Sequence, residues 1–189
     1  MRKLETNEIS RLSEEDFKKA KKLPLVVVLD DIRSFHNTGA IFRTCDAFAC
    51  EKLYLCGITG CPPHREINKT ALGASETVAW EYDENISDIL KKLKEQNYKL
   101  VALEIAEDSI KIEDFKLTSP NDKIALIVGN EVNGIAQMVL DICDICIEIP
   151  QFGTKHSLNV SVSAGIALWK ISEAMRKKYN FRSNGQNSG

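Results

Sequence analysis

The 189 residues contain neither a GxGxxG nor a GxxxxGK[ST] sequence, so hydride transfer from a dinucleotide and P-loop phosphoryl transfer both lose their usual signatures. No apolar run approaches the roughly 20 residues that a membrane span needs. The opening stretch, Met1 to Asp16, is charged and lacks the apolar centre of a secretory signal. Both absences point to a cytoplasmic protein. Positive charge is missing overall: the formal net charge of −2 argues against a sequence-blind nucleic-acid binder, which is usually basic. No Ser-His-Asp grouping stands out, and no ligand set has metal-binding spacing. Cys143-Asp144-Ile145-Cys146 is half of a zinc pattern without a second pair to complete it. Together with Cys45, Cys50, Cys56 and Cys61, these thiols read as small buried hydrophobes.

What is present is an ordinary globular composition, 43% hydrophobic and 28% charged, on a chain long enough for one well-buried domain but not two. Leu25 to Leu29 is an uninterrupted apolar run and reads as a buried strand. Asn37 to Phe48 carries apolar residues at helical spacing. Leu53 to Cys56, Thr77 to Tyr82, Leu100 to Ile105, Ile124 to Val128 and Ile145 to Ile149 read as further strands. Gly57 to Asn68 reads as a long loop. Ser13 and Asp16 open a short helix through Lys22, and Asn85 caps a helix with Ile86, Ile89, Leu90 and Leu93 on one stripe. The closing helix, Val160 to Tyr179, aligns Val160, Ala164, Ala167, Leu168, Ile171 and Met175. Alternation of this kind predicts an α/β fold, a mainly parallel sheet with helices on both faces.

Three blocks place small or polar residues where a buried strand hands over to a helix, the usual ligand position of an open α/β sheet. The first is Asn37-Thr38-Gly39-Ala40-Ile41-Phe42-Arg43-Thr44-Cys45-Asp46. Arg43 is suited to a bidentate grip on phosphate or, equally, to a surface pairing with Asp46 or Asp30. Asn37 reads as a helix N-cap or as a site residue. In the second, Val128-Gly129-Asn130-Glu131 through Gly134, the glycine after the strand admits close approach of a ligand. Glu131 is placed to accept a ribose hydroxyl or an amine proton, or else is a solvated turn residue. In the third, Ile149-Pro150 leads through Gln151 to His156 into Ser157-Leu158-Asn159. Helix capping by Ser157 or Asn159 accounts for one polar residue but not for apolar Leu158 in the mouth of the sheet.

Taken together, from Leu25 to Leu168, the blocks resemble the SpoU (TrmH-like) family of RNA ribose 2′-O-methyltransferases in the SPOUT superfamily. Asn37, Gly39 and Arg43 match its first motif, Gly129-Asn130-Glu131 with Gly134 its second, and Ile149-Pro150 with Ser157-Leu158-Asn159-Val160-Ser161 its third. Lys69-Thr70-Ala71-Leu72-Gly73-Ala74 also resembles a stretch of TrmH-like members. The resemblance implies a carboxyl-terminal deep trefoil knot, which strand counting alone rejects. It also implies S-adenosyl-L-methionine as methyl donor and a homodimer in which each site takes the neighbouring subunit's arginine. Cofactor contacts are implied at Val128, Gly129, Asn130, Glu131, Ile149 and Leu158. Catalytic duty is implied for Arg43, with Asn37, Glu131, Ser157 and Asn159 orienting ribose, donor and loops. A guanidinium is protonated in nearly all contexts, so Arg43 is read first as a phosphate clamp that also steadies the forming alkoxide, with a share in base duty as the alternative.

On this reading residues 1–23 form an amino-terminal helical extension, 24–179 the methyltransferase domain and 180–189 a polar tail. Lys18, Lys19, Lys21, Lys22 and Arg176, Lys177, Lys178, Arg182 are either solvated helix faces or phosphate-contacting arms. These extensions resemble those of enzymes that methylate a guanosine in the tRNA D-loop, which favours tRNA over rRNA. An rRNA 2′-O-methyltransferase, a non-catalytic RNA-binding member and a flavodoxin-like small-molecule binder are the alternatives. His36, His64 and His156 read as loop residues, and Trp80 and Trp169 as core or dimer packing. Neither a membrane nor a metal is expected as a partner.

Overall fold

The run from Leu25 to Leu29 is apolar on both faces because it lies inside the sheet. In the computed structural model, which describes residues 1–5, 8, 9, 11–119 and 121–179, it belongs to β1 (Leu23–Asp30). Before it comes α1 (Glu14–Lys19), shorter than the sequence suggests, with the Ser13 hydroxyl accepting from the Asp16 N–H at 3.1 Å. Then follow α2 (Phe35–Ala47), β2 (Cys50–Cys56), α3 (Arg65–Ala71), α4 (Ala74–Thr77), β3 (Trp80–Asp83) and α5 (Ile86–Glu95). The chain continues through β4 (Tyr98–Leu103), β5 (Ile110–Lys111), β6 (Lys123–Val128), α6 (Gln137–Leu140) and β7 (Ile145–Glu148) to α7 (Val160–Tyr179). The 180–189 tail and Arg182 lie outside the described residues.

The seven strands run in the order β3-β2-β1-β6-β4-β7-β5, and each neighbouring pair is parallel. Alternate side chains of a strand face opposite sides. Leu25, Val27 and Leu29 therefore join Phe42, Ile67, Ala164, Leu168 and Met175 beneath α2, α3 and α7. Val26 and Val28 join Ile89, Leu90, Leu93 and Val139 beneath α5 and α6. Both faces are covered, as the sequence predicts. The α7 residues expected to be buried are all buried, and Asn85 caps α5 through its side chain, which accepts from the Ser87 N–H at 3.0 Å.

Local departures have identifiable causes. Ala74 to Thr77 is a helical turn held by the Thr77 hydroxyl, which donates to Asp46 at 2.6 Å, so β3 starts only at Trp80. The expected long loop ends early in α3, where His64 Nδ1 accepts from the Glu66 N–H and its ring stacks on Phe35 at 3.8 Å. The edge strand β5 is too short to leave a period in the sequence. Among the described residues, no helix is long and apolar enough to cross a membrane.

Candidate active site

Parallel strands end on one side of the sheet, so the loops after β1, β4, β6 and β7 converge. Side-chain hydrogen bonds then lock these loops to one another. Ser34, not Asn37, caps α2, its hydroxyl accepting from the Asn37 N–H at 3.3 Å. The cap reading of Asn37 is thus overturned, and its side chain is free for longer contacts. Its Nδ2 donates to Glu131 Oε1 and its Oδ1 accepts from Asn159 Nδ2, both at 3.1 Å. One amide therefore joins all three sequence blocks.

Glu131 also accepts from the backbone N–H of Arg33 (2.9 Å) and of Ser34 (3.1 Å). Burial pushes its carboxyl up, but the N–H of Arg33, the Asn37 amide and the N–H groups of Glu131 and Ser34 outweigh that and hold it below the ordinary value. It is an ionised, internally bonded strut between the β6 loop and the start of α2. Asn159 caps α7, its Oδ1 accepting from the Ser161 N–H at 2.9 Å. The capping expected of Asn159 and its reach into the site thus coexist. Asn130 closes the β6 loop on itself: its Oδ1 accepts from the N–H of Val132 and Asn133, and its Nδ2 donates to the Asp31 carbonyl at 2.7 Å.

Beneath these clamps lies a cavity of about 320 Å³, lined by Val128, Gly129, Asn130, Glu131, Ile149 and Leu158 among others. Every residue assigned to cofactor contact from the sequence stands in its wall, and Ser157 does too. The volume suits a nucleoside-sized ligand. Gly129 has a further use: a Cβ there would fall 2.5 Å from the Gly134 carbonyl carbon, so its absence lets the loop fold back on the strand end. At Gly39 a Cβ would meet the Ile67 carbonyl oxygen at 2.3 Å, which fixes the close packing of α2 on α3. Leu158, unexplained by capping, is part of the apolar wall.

Arg43 is not brought to this cavity. It lies on α2 six positions beyond Asn37, exposed, in a second cleft with Arg11, Phe17, Asp46 and Leu72. Neither expected pairing forms. Asp46 accepts from Thr77, and Asp30 is buried at the end of β1, its carboxyl raised to about 6 by burial and by neighbouring Asp31. Among the described residues the Arg43 guanidinium makes no ion pair or hydrogen bond.

His36 pairs with Glu66 at 2.9 Å, whereas His156 lines the cavity. Trp80 packs half-buried against the core, but Trp169 is 55% exposed. All six thiols are free. Burial pushes the Cys143 thiol up to about 12, and a bond to Cys50 with burial raises that of Cys45, so both are poor nucleophiles. Among the described residues no three metal-ligating side chains are grouped to hold an ion.

Sequence reasoning missed Leu103, Glu104 and Ile105, which also line the cavity. Extending the fourth strand to Ile105 hid them, although a glutamate directly after an apolar run is itself a signal of a strand end.

A profile described as the SpoU rRNA Methylase family matches residues 24–169. A 23S rRNA (guanosine-2'-O-)-methyltransferase RlmB of Neisseria meningitidis serogroup B is 34% identical over 155 residues, 82% of this chain and 59% of the relative. The chain thus spans about three fifths of that protein. A tRNA (guanosine(18)-2'-O)-methyltransferase of Aquifex aeolicus is 32% identical over 173 residues, 90% of this chain and 78% of the relative. Among solved structures, the A. aeolicus TrmH/SpoU tRNA modifying enzyme superposes with a TM-score of 0.77 at 27% identity, covering 93% of this chain and 88% of that one. An AdoMet-bound rRNA methyltransferase from Sinorhizobium meliloti shares the fold, with a TM-score of 0.75 at 24% identity, covering 88% and 61%.

Proposed function

The chain belongs to the SpoU rRNA methylase family, and on that premise we propose that it methylates a ribose 2′-hydroxyl of RNA with S-adenosylmethionine as donor. The observation that carries this reading is the Asn37 amide, which ties Glu131 and Asn159 together above the cavity while Arg43 is left unengaged.

The residues present fit the donor. The cavity is of nucleoside size, and Val128, Gly129, Asn130, Ile149 and Leu158 offer backbone groups and apolar wall to an adenosyl group. S-adenosylmethionine supplies a sulfonium methyl already activated for transfer, so the protein's task is alignment. Glu131 and Asn159 hold the loops in register, and the Ser157 hydroxyl is available at the cavity wall to orient the ribose. Arg43 grips the phosphate beside the target nucleotide and stabilises negative charge as it develops on the 2′-oxygen. It does so as a permanent cation, not as a base, and the proton that the 2′-hydroxyl loses as its oxygen takes the methyl passes to solvent water.

Because Arg43 stands away from the cavity of its own subunit, the site is proposed to be completed by Arg43 of the partner subunit in a homodimer. An exposed apolar stripe on α7, formed by Val162, Ile166 and Trp169, supports such an interface. Ile166→Asp is expected to convert a dimer to monomers in sedimentation and to remove activity with it. The carboxyl-terminal segment is proposed to thread as a trefoil knot, a reading supported by the common cavity wall formed by the loops after β4, β6 and β7. Residues 1–23 then act as a helical extension, 24–179 as the catalytic domain and 180–189 as a polar tail, in a cytoplasmic enzyme.

The relatives divide between a 23S rRNA and a tRNA enzyme. Both substrate classes therefore enter the test, with the tRNA D-loop guanosine as the first candidate. The unspent arginine beside a fully bonded scaffold argues against a non-catalytic RNA binder. Labelled S-adenosylmethionine is incubated with unmodified tRNA and 23S rRNA transcripts, and the products are digested with nucleases. A single labelled 2′-O-methyl nucleotide is expected. Label on a base, or on neither RNA, contradicts the reading.

A further inference from the structure

Three carboxylates line the cavity, and the protein holds each in a different way. Glu131 is held by Arg33, Ser34 and Asn37, and Glu148 accepts from the Ser109 hydroxyl at 2.7 Å. Glu104 differs. It follows the last residue of β4, and its two oxygens are fixed by backbone alone: Oε1 by the Ile105 N–H at 2.9 Å, Oε2 by the Ile135 N–H at 3.0 Å.

Its main chain is equally fixed. The Glu104 N–H donates to the Ile147 carbonyl at 3.0 Å, and its own carbonyl accepts from Cys146 Sγ at 3.4 Å. Gly134, at φ +66°, makes room for it, since a Cβ there would lie 2.2 Å from Oε2. The turn that closes the cavity is therefore shaped around this carboxylate.

An ionised carboxylate accepts only, with about four lone-pair sites. One N–H on each oxygen leaves each with acceptor capacity, side by side and immobile. A rigid pair of adjacent acceptors complements a pair of adjacent donors, which is what a vicinal diol presents. We infer that Glu104 recognises the ribose 2′,3′-diol of the methyl donor, an inference that rests on the methyltransferase reading. A carboxylate on a ribose hydroxyl at the carboxyl end of a parallel strand is a known solution in open α/β sheets. Here the anchoring of both oxygens removes the side-chain entropy that such a contact otherwise costs.

The test is calorimetric and needs no turnover. Wild-type protein is titrated with S-adenosylhomocysteine and with its 2′-deoxyribose counterpart, and the titrations are repeated on Glu104→Gln. Losing a hydrogen bond to a charged acceptor is expected to weaken the deoxy ligand about 10-fold or more against wild type. In Glu104→Gln the ribose ligand should weaken by a similar factor, and the gap between the two ligands should shrink to within about 3-fold. Equal wild-type affinity for both ligands, or an undiminished gap in the variant, overturns the inference. The wild-type comparison decides the matter even where the variant folds poorly. Absence of any heat with S-adenosylhomocysteine from folded wild-type protein would instead remove the donor reading, and this inference with it.

Discussion

The two ends of α2 treat their polar residues in opposite ways. At its first turn Ser34 caps the helix, Asn37 bonds at both ends of its amide, and Glu131 receives the backbone N–H groups of Arg33 and Ser34. Farther along the same helix Arg43 is exposed, its charge unanswered among the described residues. The polar groups of the first end are bonded to one another across three distant segments, so that end is scaffold. The second end has no such work, and its guanidinium is held in reserve for something outside the subunit. A mutation at the first end should therefore cost stability together with turnover, and one at the second end turnover alone.

The sharpest separation comes from Arg43→Ala. Methyl transfer should fall on the order of 10³-fold, while the melting temperature and the affinity for S-adenosylhomocysteine stay near wild type. A large drop in melting temperature would show that Arg43 is scaffold after all. Asn37→Ala should damage both properties. Loss of the shared amide leaves half-buried Glu131 and exposed Asn159 each to water in place of a partner, for about 0.5–1.5 kcal/mol of stability in denaturant unfolding. Activity should fall with it, because the loops lose their common tie.

The pH dependence of Glu131 tests the scaffold end alone. Its carboxyl is held below the ordinary value in the folded protein, so the folded state favours the ionised form. The resulting stability is present above the unfolded carboxyl value of about 4.3 and is lost as pH falls through the lower folded value. Glu131→Gln should flatten that acid limb in thermal melts between neutral pH and about pH 3. Asp30 has the opposite sign. Its carboxyl is raised to about 6, so stability is full below the unfolded value and declines as pH rises toward 6. Asp30→Asn should raise the melting temperature at pH 7 and leave it unchanged at pH 4.

Much of this arrangement is legible in the sequence, for definable reasons. The buried strands announce themselves as apolar runs, and α7 by a stripe that the structure buries residue for residue. The cavity residues are legible because glycine and polar side chains stand directly after such runs. What the sequence hides is partnership. Asn37 reads as an N-cap or a site residue, and only the structure shows that Ser34 takes the cap while Asn37 reaches Glu131 and Asn159. Glu104 is lost for a related reason: an extended apolar segment conceals where the strand ends and the loop begins. The strand expected from Thr77 is present but starts only at Trp80, because Asp46 on α2 binds Thr77 at the end of a helical turn from outside the local window.

The central claim is that a site held rigid in one subunit is completed by Arg43 of the partner subunit, and mixing two inactive variants tests it most directly. Arg43→Ala lacks the clamp, and Leu158→Arg fills the cavity with a charged side chain; each alone should be inactive. Equal mixing with exchange makes half the dimers hybrid, each with one intact composite site, so about a quarter of wild-type activity should return. Hybrids that form but recover no activity would mean that Arg43 serves its own subunit, contradicting the account.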